Sequence, residues 1–105
     1  MVLDGRSLLG RRVLDLADAF AAALGGWSGL GDMLAANVRR AAELVALAEQ
    51  ARATALRTGT IDAAMLARLD GAASRAVRAL GITESRRKAA AMTLRDRLAA
   101  EAEAQ

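Results

Sequence analysis

Two long, alanine-rich helical patterns, Met33 to Thr58 and Asp62 to Leu80, are separated only by Gly59-Thr60-Ile61. A connection that short predicts two antiparallel rods. In the first rod, Leu34, Val38, Ala41, Val45 and Ala48 alternate steps of four and three, the spacing of a coiled-coil seam. Leu44, Leu47 and Ala51 form a second apolar strip beside it. Some 26 residues at 1.5 Å each give a rod of ~39 Å. Two adjacent strips offer more apolar surface than a single hairpin partner covers. The pattern therefore predicts an oligomer, with Leu34, Val38, Leu44, Val45 and Leu47 at the interface.

The flanks read as helices too. Leu9, Val13, Leu16, Phe20 and Leu24 recur at helical spacing from about Ser7 to Leu24, with Ala17 and Ala21 widening the face. Arg11 and Asp15 are spaced for an i,i+4 pair. Four glycines between Gly25 and Gly31 then impose a turn, and Asp32 is the expected N-cap of the next helix. Gly59 is expected as its left-handed stop, Asp62 as the following cap with Ile61 and Leu66 as a hydrophobic staple, and Gly81-Ile82 as a Schellman stop. From Thr83 a fourth helix has only Met92, Leu94 and Leu98 as large apolar anchors. The expected organisation is all-α: an antiparallel long-helix hairpin with an additional N-terminal helix, an oligomerisation core over residues 1–82, and a helical or mobile tail over 83–105.

Composition agrees, with no proline, 2% aromatic residues, and a background of alanine, leucine and arginine that favours helix. A chain of 105 residues has room for one domain with a limited core. It has no cysteine and no histidine, which excludes disulfides, thiolate chemistry and the usual transition-metal ligands. Asp15, Asp18, Asp62, Asp70 and Asp96 fall into no acid/base pair or metal-ligand cluster, and no phosphate-cradling glycine loop is present. No catalytic residue, cofactor or metal is therefore expected. The opening residues Met1 to Arg6 lack the apolar run of a secretory signal, and no stretch of ~18 apolar residues could cross a membrane. The expected location is cytoplasmic.

The net charge is +3, from 15 basic and 12 acidic residues. That excess permits contact with nucleic acid without requiring it. Arg68, Arg75 and Arg78 share one face of the third helix, and Arg86, Arg87 and Lys88 follow Glu84 with no further acid nearby. Each group suits phosphate contact. Glu43, Glu49 and Asp70 are placed to neutralise the first group instead, and Arg39 and Arg40 lie one turn from Glu43. The second group is favoured slightly, because it lacks neutralising acids. With no interleaved aromatic residues, base stacking on a single strand is not expected.

Two family resemblances bear on function. The stretch Ala41 to Glu49, then Gly59-Thr60-Ile61-Asp62, then Leu66 to Leu69 and Arg75 to Thr83, resembles the small terminase subunit of tailed bacteriophages and gene transfer agents. The run Leu80-Gly81-Ile82-Thr83-Glu84-Ser85-Arg86 is similar to a helix-ending step found in several of its members. The resemblance implies a ring-forming helix hairpin that takes part in DNA packaging, selects genomic DNA, and regulates a large terminase subunit holding the motor ATPase and nuclease. Many members carry a separate N-terminal helix-turn-helix domain. Residues 1–32 hold a single helix, so this would be a minimal form that binds duplex DNA weakly and without sequence preference. The tail would contact the large subunit. Separately, Trp27-Ser28-Gly29 resembles the W-x-G turn of the WXG100 secreted hairpins, although Trp27 comes early and tyrosine is absent. A general helical interaction or regulatory protein forming a small oligomer is the third reading.

Overall fold

The computed structural model describes residues 7–104, with the side chains of residues 83–90, 92 and 104 outside that description. Among the described residues the chain is all-helical and has no strand. The helices are α1 (Leu8–Ala23), α2 (Asp32–Thr58), α3 (Ala63–Ala79) and α4 (Ile82–Ala104), with a single 3-10 turn at Trp27–Gly29 between α1 and α2.

Helix boundaries follow from local chemistry. Ser7 caps α1, its hydroxyl accepting from the Gly10 amide at 2.8 Å. The α1 terminus closes on Gly25 and Gly26, both with φ near +100°, where Gly26 N–H reaches the Ala21 carbonyl at 2.7 Å. A side chain at either position would meet the left-handed penalty that glycine avoids. The N-cap of α2 is Gly31, not Asp32, and no side chain caps it. Asp32 is instead the first helical residue, where its negative charge complements the amide end of the helix dipole. Gly59, at φ +71°, ends α2 by donating to the Ala55 carbonyl, and the Asp62 carboxylate accepts from Met65 N–H at 3.0 Å to start α3. Gly81 takes a left-handed conformation and donates to the Arg78 carbonyl, the inner bond of a Schellman stop. The chain does not pause there, because α4 begins at the next residue, Ile82.

α2 is the spine, packing against α1 over one part and α3 over another. The core joins Leu16, Ala17 and Ala21 of α1, Val38, Ala41, Ala42 and Ala46 of α2, and Leu80 at the end of α3. Most of these are alanines, so small faces meet small faces and the helices approach closely; no large side chain need interdigitate. Phe20, Leu24, Trp27, Leu34, Val45, Val77 and Ile82 close over the edges of that core. Among the described residues no polar or charged side chain is buried.

α4 touches α1 and α3 but has no long packed interface. Leu94 and Leu98, expected from the sequence as its anchors, are 55% and 56% exposed. The third anchor, Met92, lies outside the described side chains. The radius of gyration is 18.3 Å, against about 13 Å for a compact chain of this length. The principal extents of 65 × 26 × 21 Å give the same picture of an elongated molecule. No described helix is long and apolar enough to cross a membrane.

Candidate functional site

The two outer helices leave two open grooves along α2. The larger, about 1200 Å³, lies where α1, α2 and α3 converge. Phe20, Val45, Val77 and Ile82 give it an apolar lining, while Glu49, Arg52, Asp70, Ser74 and Arg78 bring polar groups to it. The smaller, about 530 Å³, lies between α2 and α3 toward the Gly59 turn. Leu47, Ala51, Ala55, Ile61, Met65, Leu66 and Leu69 line it, with Gln50, three threonines and Asp62 as its polar groups. Ile61 and Leu66 both belong to this lining, yet Ile61 remains 60% exposed.

These positions divide the five residues expected at an interface. Val38 is fully buried within the single chain, so it belongs to the intrachain core and has no surface to offer a second chain. The physical reason is that α1 covers the first half of the predicted seam. Leu34 and Val45 are half-buried at the edge of the same core, and Val45 also faces the larger groove. Leu44 is half-buried, and Leu47, half-buried too, lines the smaller groove.

The charges are arranged differently from the sequence expectation. Glu49 is held by Arg12 in a two-pronged bond, Nε to Oε2 and Nη2 to Oε1, both at 2.9 Å. Asp70 is held by Arg52 at 2.6 Å. Glu49 and Asp70 therefore tie α1 to α2 and α2 to α3, and do not neutralise the α3 arginines. Among the described residues Arg68, Arg75 and Arg78 join no ion pair. Arg75 folds back along its own helix, with its guanidinium over Gly71, where an added Cβ would sit 3.1 Å from Nη1. Arg78 reaches the larger groove. The side chains of Arg86, Arg87 and Lys88 lie outside the described residues; their backbone is in the first turns of α4.

Arg39 also departs from expectation. Its guanidinium stands over the Trp27 ring, 5.2 Å from the centroid, and is not paired with Glu43. The Trp27 indole N–H donates to Asp18 at 2.8 Å. Trp27 thus covers the loop end of the core and links α1 to α2 through a hydrogen bond and a cation–π contact. The spacing of Asp18, Trp27 and Arg39 carries no periodic signal, so only the fold brings them together. Likewise Arg11 and Asp15 form no ion pair among the described residues, while the adjacent Arg12 bridges to Glu49 across 37 positions.

The Arg12–Glu49 bond has a titration signature. Hydrogen bonding from Arg12 holds the Glu49 carboxyl below its ordinary value, and the same bond raises Arg12. A carboxyl depressed in the folded state stabilises the fold above its unfolded value and loses that contribution as pH falls through the folded one. Both side chains are about half exposed, so the effect is small and salt-sensitive. Glu49→Gln should lower Tm at pH 7, and the difference from the unaltered protein should vanish at acid pH below the ordinary carboxylate range. Parallel melts at the two pH values test this; an undiminished difference in acid would assign the effect to packing.

Among the described residues no cluster of three or more acidic, histidine or cysteine side chains could hold a metal ion. No protein family matches the chain, and no curated protein or solved structure is significantly similar to it.

Proposed function

We propose that this protein is a self-associating helical adaptor of the small-terminase kind. Copies join into a ring, the ring offers arginines to duplex DNA, and it regulates a large terminase subunit carrying the motor ATPase and nuclease. The observation that carries the reading is the open apolar groove at the Gly59 end of the hairpin, where Leu47, Ile61, Met65 and Leu69 stand beside small residues. A groove whose only ionisable lining residue is Asp62, itself occupied in capping α3, suits a second copy better than solvent. Among the described residues Arg68, Arg75 and Arg78 join no ion pair, which supports the DNA half of the proposal.

Binding to DNA in this reading is weak, indifferent to sequence and steep in salt, because phosphates are contacted and base edges are not. A ring repeats each arginine around one surface, so avidity raises affinity with no new kind of contact. Binding of duplex DNA to the assembled protein, followed across a salt series, is the test. Replacing Arg68 and Arg75 together by alanine should weaken binding while the oligomer persists. The slope of log Kd against log salt should flatten by about one for each phosphate that is no longer neutralised. If the binding surface belongs to Arg86, Arg87 and Lys88, the same result should follow substitution there. An assembled oligomer that binds no duplex at low salt would remove the DNA half and leave a general helical regulatory oligomer.

A further inference from the structure

We infer that the outer half of α4 is a docking strap, and that its receptor is the groove between α1, α2 and α3 on a second copy of the chain. The inference rests on the self-association proposed above and names one of its contacts.

The strap and the receptor each have an unmet requirement. Leu94 and Leu98 are one helical turn apart and more than half exposed, although one face of α4 presents both. The last turn of α4 contains Glu101 and Glu103 and no basic residue. Neither carboxylate joins an ion pair among the described residues, so both can accept a cation supplied from elsewhere. The groove has the complementary features. Phe20, Val45 and Val77 offer apolar surface, and Arg78 supplies a positive charge with no ion-pair partner among the described residues. The groove's other charges are already matched, Glu49 to Arg12 and Arg52 to Asp70. Arg78 is thus the one charge in the described lining left for an acidic visitor; in the assembled ring it serves the strap, and Arg68 and Arg75 carry the DNA contact.

Chain geometry directs the strap to a second copy. Ile82 lines the groove and is also the first residue of α4, which runs unbroken to Ala104. Leu94 is twelve residues further on, roughly 18 Å along a straight helix. A continuous helix that leaves the groove's edge cannot bring its far end back into the same groove. Giving α4 to one neighbour and receiving it from another is a head-to-tail contact, which closes into a ring when the rotation permits.

The absence of cysteine makes a direct test possible. Leu98→Cys and Ser74→Cys are prepared as separate full-length proteins, both at exposed positions, mixed, allowed to exchange and mildly oxidised. The expected product is a disulfide-linked heterodimer that forms within the assembly. Its yield should fall several-fold at high salt, or when Leu98→Cys is combined with Glu101→Arg and Glu103→Arg. Arg78→Glu on the Ser74→Cys partner should restore cross-linking to that charge-reversed strap. If a chain carrying both Leu98→Cys and Ser74→Cys cross-links to itself under dilution, the strap acts in cis and the inference is overturned. An oligomer by light scattering that gives no cross-link overturns this inference and leaves the self-association reading standing. A protein that stays monomeric at all concentrations overturns both.

Discussion

Val38→Asp is expected to abolish cooperative folding, the largest effect of any single substitution considered. Among the described residues Val38 is the largest side chain that is fully buried, and no buried polar group lies among them to share a proton or hydrogen bond with a new carboxylate. An isolated charge in such surroundings costs several kcal/mol even after relaxation. Domains of this size have about 5–15 kcal/mol of stability, and a small alanine-built core falls toward the lower end. Val38→Ala should be tolerated at a cost of about 2–3 kcal/mol, from reduced methyl burial and a residual cavity. Circular dichroism melts separate the outcomes: a lowered but sharp transition for alanine, and no transition for aspartate. A native-like melt for Val38→Asp would mean that α1 does not cover the first half of α2.

Why the helices were legible and their partners were not is clear at Val38. Helical spacing marks it as apolar and inward-facing whatever lies opposite, because the 3.6-residue period is a local property. Which element covers it depends on where the Gly25–Gly26 turn sends α1, and the sequence carries no local signal of that direction. A seam expected to meet another chain is therefore filled at Val38 and Ala41 by the chain's own α1. The stops at Gly59 and Gly81 and the cap at Asp62 were readable because each rests on the conformational or hydrogen-bonding character of one residue. The shift of the α2 cap from Asp32 to Gly31 is a one-residue matter that composition does not resolve.

Charge was less legible than apolar pattern for the same reason. Glu49 belongs to the rod packed against α3 and Asp70 to α3 itself, so a hairpin read from the sequence pairs both with the α3 arginines. The fold instead gives them Arg12 and Arg52, the guanidinium groups that helix packing brings within reach. This exchange leaves Arg68, Arg75 and Arg78 with no carboxylate partner among the described residues and alters the weighting of the two basic groups. The group at Arg68 to Arg78 is no longer disfavoured by neighbouring acids.

Leu47→Asp is the prediction that separates assembly from folding. Leu47 lies outside the central core and lines the groove at the Gly59 end of the hairpin. A carboxylate there keeps access to water in the free subunit and becomes buried and unpaired only when a second copy covers the groove. The cost should therefore fall mainly on association. Gel filtration with light scattering should give a mass several times 10.9 kDa for the unaltered protein and about one subunit for Leu47→Asp, with helical content largely kept. Because Leu47 is half-buried within its own chain, Met65→Asp serves as the companion, its side chain being 44% exposed on the same groove. Loss of assembly in both variants with preserved helicity assigns the groove to the interface. An oligomer unchanged by both would move the interface elsewhere on the subunit, and a monomeric unaltered protein would remove the ring from the proposal altogether.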